Sequence, residues 1–208
     1  MILTVNIGNT HITIAGYEHD TLQFSGRLHS SPAATVDEYA MNLLNLLSLY
    51  QVAPERIEGG ILGSVVPALT GRVLGALRMF CSARFMAVNG KQELVGGVIL
   101  PGPQLSLSAL VQKTAQLPQI DLSAPASSSI LGKNTSACLQ NGFVLGTAGL
   151  LDGLAERFQA ELGPDIRFYA TGNLPRTIRE ACRTPIEYRE YLITDGLYRI
   201  WQRNRKGG

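Results

Sequence analysis

Charge is scarce in this sequence. Only 16% of its 208 residues are Asp, Glu, Lys or Arg, against roughly 25% in an ordinary soluble domain. The net charge is +2, which leaves no electrostatic footprint for nucleic acid or a membrane surface. The one basic cluster is the tail Arg203, Arg205 and Lys206. Cysteine is scarce too. Cys81, Cys138 and Cys182 stand far apart without metal-ligand or redox spacing. That pattern points to reduced, buried thiols in a cytoplasmic protein. No apolar run approaches the ~20 residues of a membrane span. The start lacks the basic region, apolar stretch and small-residue site of a secretory leader, so the sequon Asn134-Thr135-Ser136 carries no meaning. Two phosphate signatures are also missing. No G-x-G-x-x-G opens a helix, and Gly132-Lys133 is followed by Asn134 without the upstream glycine of a P-loop. His11, His19 and His29 lie far from any cysteine pattern, which argues against a metal site.

What is present describes a globular chain of one domain or two small ones. Apolar residues make up 45%, and glycine is frequent at 22 residues, a mix that excludes disorder, coiled coil and collagen-like repeats. The chain opens as a meander. Met1 to Val5, His11 to Tyr17 and Leu22 to Leu28 read as strands, with Leu22, Phe24 and Leu28 on one face. The connections are Asn6-Ile7-Gly8-Asn9-Thr10 and Glu18-His19-Asp20. Thr35-Val36-Asp37-Glu38 is a capping box ahead of a helix carrying Tyr39, Leu43, Leu44, Leu46, Leu47 and Tyr50, with Pro54 beyond its end. A strand within Ile57 to Val66, a helix from Pro67 to about Arg78 and a strand from Arg84 to Val88 follow, giving an α/β layout.

The second half reads differently. Leu94 to Leu100 is a strand pattern, Leu105 to Ala115 a helix and Pro118 to Ser129 a loop. A long helix over Ser136 to Leu162 contains Gly142, Gly146, Gly149 and Gly153. Each costs ~1 kcal/mol against alanine, and their spacing puts them near one face, as a close helix–helix approach, within the chain or across a subunit interface, would require. Ile166 to Ala170 is a strand leading into Thr171-Gly172-Asn173, and the last helix runs from Thr194 to about Arg203. There Tyr198 and Trp201 fit packing better than stacking on a base. Asp152 and Asp195 each precede a glycine and read as helix-surface or turn residues.

The turn Asn6-Ile7-Gly8-Asn9-Thr10 is the one phosphate candidate. Glycine permits a sharp turn and the close approach of an anion to backbone N–H groups, and Asn9 and Thr10 add side-chain donors. By itself such a turn is an ordinary hairpin connection. His11 beside it reads as a hairpin surface residue within reach of an anion.

Several segments, in order, resemble the type III pantothenate kinase family. They are Asn6 to Thr10, Thr35 to Tyr39, Ser64 to Thr70, Gly96 to Gly102, Gly132 to Thr135 with Gln140, Gly142, Gly146 and Gly149, and Ala170 to Gly172. The resemblance covers almost the whole chain. It implies the actin-like or sugar-kinase (ribonuclease H-like) ATPase fold in two halves, 1–88 with the phosphate turn and 89–208 with dimerisation helices. It implies ATP-dependent phosphorylation of pantothenate, the entry step to coenzyme A, with Mg²⁺ and a monovalent cation (K⁺ or NH₄⁺), in a cytoplasmic homodimer. By the same resemblance Asn6, Gly8, Asn9, Thr10 and Gly172 face the nucleotide. Thr135 matches a pantothenate contact reaching across the dimer; read from its own surroundings, it is equally a helix N-cap.

The chain also departs from the family pattern. After Val88 the family carries Gly-Ala-Asp-Arg, whose Asp resembles the general base, and then a second phosphate hairpin; here Asn89-Gly90-Lys91 follows directly. The second half therefore lacks its first hairpin and a helix. Asn6 stands where the family has Asp, which keeps hydrogen bonds and loses the charge that attracts Mg²⁺. Asn173 follows Gly172 where the family repeats glycine. No residue is left to assign as catalytic or as a metal ligand. The implied function is a kinase homologue whose activity is lost or severely impaired, and the rival is a non-catalytic binding or regulatory paralogue.

Overall fold

The computed structural model describes residues 1–88, 96–114, 117–124, 126 and 129–205. The chain divides into two compact units, one of residues 1–93 with 191–208, the other of 94–190.

In the first unit, alternating apolar residues build a sheet. Strands β1 (Ile2–Ile7), β2 (His11–Glu18) and β3 (Thr21–His29) form the expected meander. The capping box then starts α1 (Val36–Leu49), in which Thr35 Oγ1 accepts the Glu38 N–H at 3.2 Å and Glu38 Oε2 accepts the Thr35 N–H at 2.6 Å. A 3-10 turn (Pro54–Arg56), β4 (Gly59–Ser64), α2 (Pro67–Phe80) and β5 (Arg84–Ala87) follow. The sheet order is β3-β2-β1-β4-β5. β1 pairs antiparallel with β2 and parallel with β4, and β4 pairs parallel with β5. Parallel neighbours require a crossover, and α1 and α2 supply it.

Period-2 alternation sends Leu3, Val5, Ile7 and Leu62 to one face, against Leu43 and Leu47 of α1 and Leu69, Val73 and Leu77 of α2. The opposite face is covered by α6 (Leu192–Arg205). There two glycines of β4 admit large side chains. A Cβ on Gly59 would lie 2.4 Å from the Trp201 ring, and one on Gly63 would lie 3.0 Å from a Leu197 methyl. Tyr198 stacks on Tyr17 with ring centroids 4.4 Å apart. Both aromatics of the last helix therefore serve packing, as the sequence suggested. The result is three layers, helix, sheet and helices.

The second unit is mostly helical. It holds α3 (Pro103–Lys113), α4 (Thr135–Leu162) and α5 (Arg176–Ala181), with a two-stranded parallel sheet of β6 (Phe168–Ala170) and β7 (Ile186–Tyr188). Its core cluster is small: Val144, Ala148 and Ile178, flanked by half-buried residues such as Leu151 and Leu174. α5 and β7 carry no periodicity signal long enough to read from sequence.

Several expectations are corrected. The strand expected over Leu94 to Leu100 is not formed at residues 96–100, where Ile99 is fully exposed; Leu94 and Val95 lie outside the described residues. A strand exists only where a neighbour satisfies its N–H and C=O groups, and none pairs with this segment among the described residues. Ala115, Asn89 to Lys91, Lys206 and parts of the 118–129 loop also lie outside them. Among the described residues the glycine face of α4 makes no close approach to another element: a Cβ on Gly142, Gly146, Gly149 or Gly153 would meet nothing within 4 Å. Of the cysteines, all free, Cys81 is buried, Cys182 half-buried and Cys138 exposed.

Candidate functional site

The carboxyl ends of parallel strands are where α/β sheets bind ligands, and β1 and β4 end side by side there, with Ile7 opposite Ser64. The chain leaves β1 through a shorter turn than expected. Asn6 and Ile7 belong to the strand, where Asn6 sits opposite Thr13 and Gly63, and only Gly8, Asn9 and Thr10 turn. Extending the hydrogen-bonded ladder to Ile7 wins over the turn chemistry of Asn-Ile-Gly-Asn.

Gly8 closes the turn. Its N–H donates to the His11 carbonyl at 3.0 Å, and a Cβ there would approach that same oxygen to 3.1 Å. Ser30, buried at the end of β3, holds the turn from behind. Its hydroxyl donates to the Gly8 carbonyl at 2.7 Å and its N–H to the Thr10 carbonyl at 2.9 Å. Nothing in the sequence marked Ser30 for this role, because its partners are brought to it only by the meander. Asn9 and Thr10 are exposed, and their N–H groups donate to no protein acceptor among the described residues. His11 is exposed beside them, its ring edge-on to His29 at 6.4 Å.

The turn thus offers fixed, neutral donors to an anion. Asn6, half-buried two residues upstream, adds an amide rather than a carboxylate. Beside it, β4 runs through Ser64 into α2. There the Val66 N–H donates to Ser64 Oγ at 3.0 Å, and Pro67 opens the helix without a side-chain cap.

Thr135 and Gly172 lie in the second unit. The α4 N-cap is Asn134, whose Oδ1 accepts the Ala137 N–H at 2.8 Å. Thr135 is therefore the first helical residue, and the N-cap reading of it is corrected. Asn ranks above Thr at the cap position. The Thr135 side chain is exposed and lines an open apolar cavity of about 410 Å³ with Leu110, Leu139 and Phe143. Gly172 follows β6 in a left-handed conformation (φ +77°) that favours glycine, and its carbonyl accepts the Tyr188 hydroxyl at 2.8 Å.

Asp152 was read as a surface residue and is instead 3% exposed. Its carboxylate accepts the N–H groups of Arg183 (3.0 Å) and Thr184 (2.9 Å). Burial pushes its pKa up, but the hydrogen bonds from Thr184 and Arg183 outweigh that and hold it below the usual carboxylate range. It anchors the chain after α5. Asp195 stays exposed on α6, where Oδ1 accepts the Tyr17 hydroxyl at 2.6 Å.

The donor set does not fit a protein-held divalent cation. Among the described residues no three His, Cys, Asp or Glu side chains gather, and position 6 is neutral. No helix of the described residues is long and apolar enough to cross a membrane.

Strand order and turn define an α/β protein of the actin-like ATPase fold. The family model for type III pantothenate kinase matches residues 2–89 and 79–157. A type III pantothenate kinase of Roseiflexus sp. (strain RS-1) is 30% identical over 256 residues, covering 99% of this chain and 100% of the relative. Those of Exiguobacterium sp. (30% over 257 residues; 99% and 100% covered) and Solibacter usitatus (29% over 255; 98% and 97%) are similar. The chain belongs to the type III pantothenate kinase family. It is an internally shortened member: these alignments run past 250 positions, whereas the chain has 208 residues. The two matched stretches overlap at 79–89, where the sequence leaves the family pattern.

Proposed function

We propose that this chain is a pantothenate kinase homologue, derived from an enzyme of ATP-dependent pantothenate phosphorylation at the entry to coenzyme A, and that its own phosphoryl transfer is lost or severely impaired. The observation that carries this is Asn6. A neutral amide stands at the end of β1 beside a turn that keeps its free N–H donors. Asn6, Gly8, Asn9, Thr10 and Gly172 are assigned to the nucleotide and Thr135 to pantothenate; no residue is assigned as catalytic. Magnesium and a monovalent cation would arrive with the nucleotide rather than on a protein carboxylate. General-base assistance contributes ~10²–10⁴-fold, and phosphoryl transfer leans further on metal and positioned donors.

In this reading residues 1–88 form the half that carries the phosphate turn, and 89–208 form an incomplete half whose helices pair two copies in the cytoplasm. The open glycine face of α4 supports that pairing. The same site also supports the second reading, a non-catalytic binding or regulatory paralogue. An ADP-release assay with pantothenate, ATP, Mg²⁺ and K⁺ separates them: turnover above the no-enzyme blank removes the non-catalytic paralogue reading. Calorimetric titration with ATP is expected to give binding no tighter than about millimolar, ~4 kcal/mol; micromolar affinity contradicts it.

A further inference from the structure

The register of the first sheet extends the turn site sideways. Asn6 on β1 lies opposite Thr13 on β2, and Thr13 lies opposite Arg27 on β3. Residues directly opposite in a sheet project from the same face, so the three side chains form one row across it. His11 and His29 pair with each other and form the next row toward the turn, two residues along each strand. Ile12 and Leu28, which separate the two rows, point to the other face and pack on the core. Neighbouring strands lie ~4.8 Å apart, so Asn6 and Arg27 stand ~10 Å apart along the row, most of which an arginine side chain can span.

Near the turn the charge on this face has one sign. Glu18 is the single carboxylate of the five strands; it stands at the far end of β2, where it accepts from Arg56 at 2.7 Å. Asp195 is the one acidic residue of α6, the helix packed on this face. It accepts the Tyr17 hydroxyl at 2.6 Å, and Tyr17 is four residues along β2 from Thr13. Asp37 and Glu38 open α1, which covers the other face. Arg27 is exposed and has no ion pair or side-chain hydrogen bond among the described residues.

We propose that Arg27 is the cationic contact of the phosphate group received by the Gly8–Thr10 turn. The free Asn9 and Thr10 N–H groups, the Asn6 amide and the Arg27 guanidinium then hold the anion with no divalent cation between it and the protein. The cause is electrostatic. A carboxylate at position 6 would repel phosphate unless a metal ion stood between them, whereas the neutral Asn6 does not. The guanidinium supplies positive charge and a fork of donors matched to two phosphate oxygens. Arg27 has this role only if the turn takes the nucleotide phosphates, the reading on which the assignment rests.

Heteronuclear NMR of the full chain reads the turn directly. Pyrophosphate is added in the presence of EDTA, at ionic strength held constant with NaCl, while the Gly8, Asn9 and Thr10 amide resonances are followed. Saturable shifts with a midpoint of about 1–10 mM are expected. Arg27→Ala is expected to raise the midpoint by about fivefold or more, and Arg27→Lys, which keeps the charge and loses the fork, by less. Arg84→Ala, at the opposite end of the sheet, is expected to leave it unchanged. The remaining amide resonances verify that each variant stays folded. Turn shifts whose midpoint is unchanged by Arg27→Ala, equally weakened by Arg84→Ala, or seen only when Mg²⁺ replaces EDTA overturn the role of Arg27 and leave the turn as the phosphate site. No shift at the turn up to about 50 mM, with or without Mg²⁺, overturns both.

Discussion

Residues 1–88 and residues 96–190 are stretches of similar length that bury very different cores. The first, joined by α6, surrounds a five-stranded sheet with helices on both faces. Leu3, Val5, Ile7, Ile12 and Ile14 are all fully buried there. The second has two strands of three residues each, and a cluster around Val144, Ala148 and Ile178. It leaves Ile99, Ile130, Leu131 and Leu162 in solvent. A two-stranded sheet is marginal by itself, and exposed apolar groups of this size mark surfaces that something else covers. The difference teaches what the size of a sheet decides. A five-stranded sheet covered by helices buries its own faces, whereas a two-stranded one offers little for apolar chain to pack on.

The largest expected effect tests the first half of that comparison. Leu62→Ala removes a buried side chain from the middle of the larger core and is expected to cost about 2–5 kcal/mol. Urea unfolding followed by Trp201, which sits on the same sheet, reads it; a cost below 1 kcal/mol would mean the sheet is not the stable centre. Next, Asp152→Ala strips the second unit of the carboxylate that satisfies the Arg183 and Thr184 amides, for about 1–3 kcal/mol. Wild-type stability supplied by Asp152 also depends on acid in a fixed direction. Its folded pKa lies below the unfolded value of about 3.9, so the contribution is complete above that value and fades as pH falls through the folded pKa. Helix content followed between pH 5 and pH 2 should therefore show an acid-dependent loss that Asp152→Ala lacks.

Thr35→Ala breaks the capping box of α1 and is expected to cost about 1 kcal/mol, measured by thermal melting. The smallest effect on folding concerns α4. Gly146→Leu with Gly149→Leu adds side chains to open space and favours helix by up to ~1 kcal/mol each. Light scattering is expected to show a dimeric wild type and a monomeric variant with its helix signal retained. A monomeric wild type would leave the exposed face of the second unit uncovered and remove the pairing reading.

Much of the first unit was legible because its signals are local. The apolar run from Met1 to Val5, the alternation of Leu22, Phe24 and Leu28 and the Thr35–Glu38 box act over a few residues. The second unit was less legible for the opposite reason. Leu94 to Leu100 reads as a strand, yet a strand needs a partner and the sequence does not say whether one exists. Asp152 reads as a surface residue because its partners lie 31 and 32 positions away. α5 and β7 are shorter than any periodicity can reveal. At the candidate site, Gly8, Asn9 and Thr10 were visible as a turn, while Ser30, which braces it, was not. Asn134 and Thr135 are both good caps, and only the helix start decides between them.

Composition, alternation, caps and the order of short motifs determined the fold class, the family and the position of the phosphate turn, since each depends on neighbours along the chain. Tertiary structure decided which donors stay free, that Asp152 is buried, that the glycine face of α4 is open, and that α6 returns to cover the first sheet. Those properties arise from contacts between residues far apart in sequence, where hydrogen bonds and burial are settled by what the fold brings together.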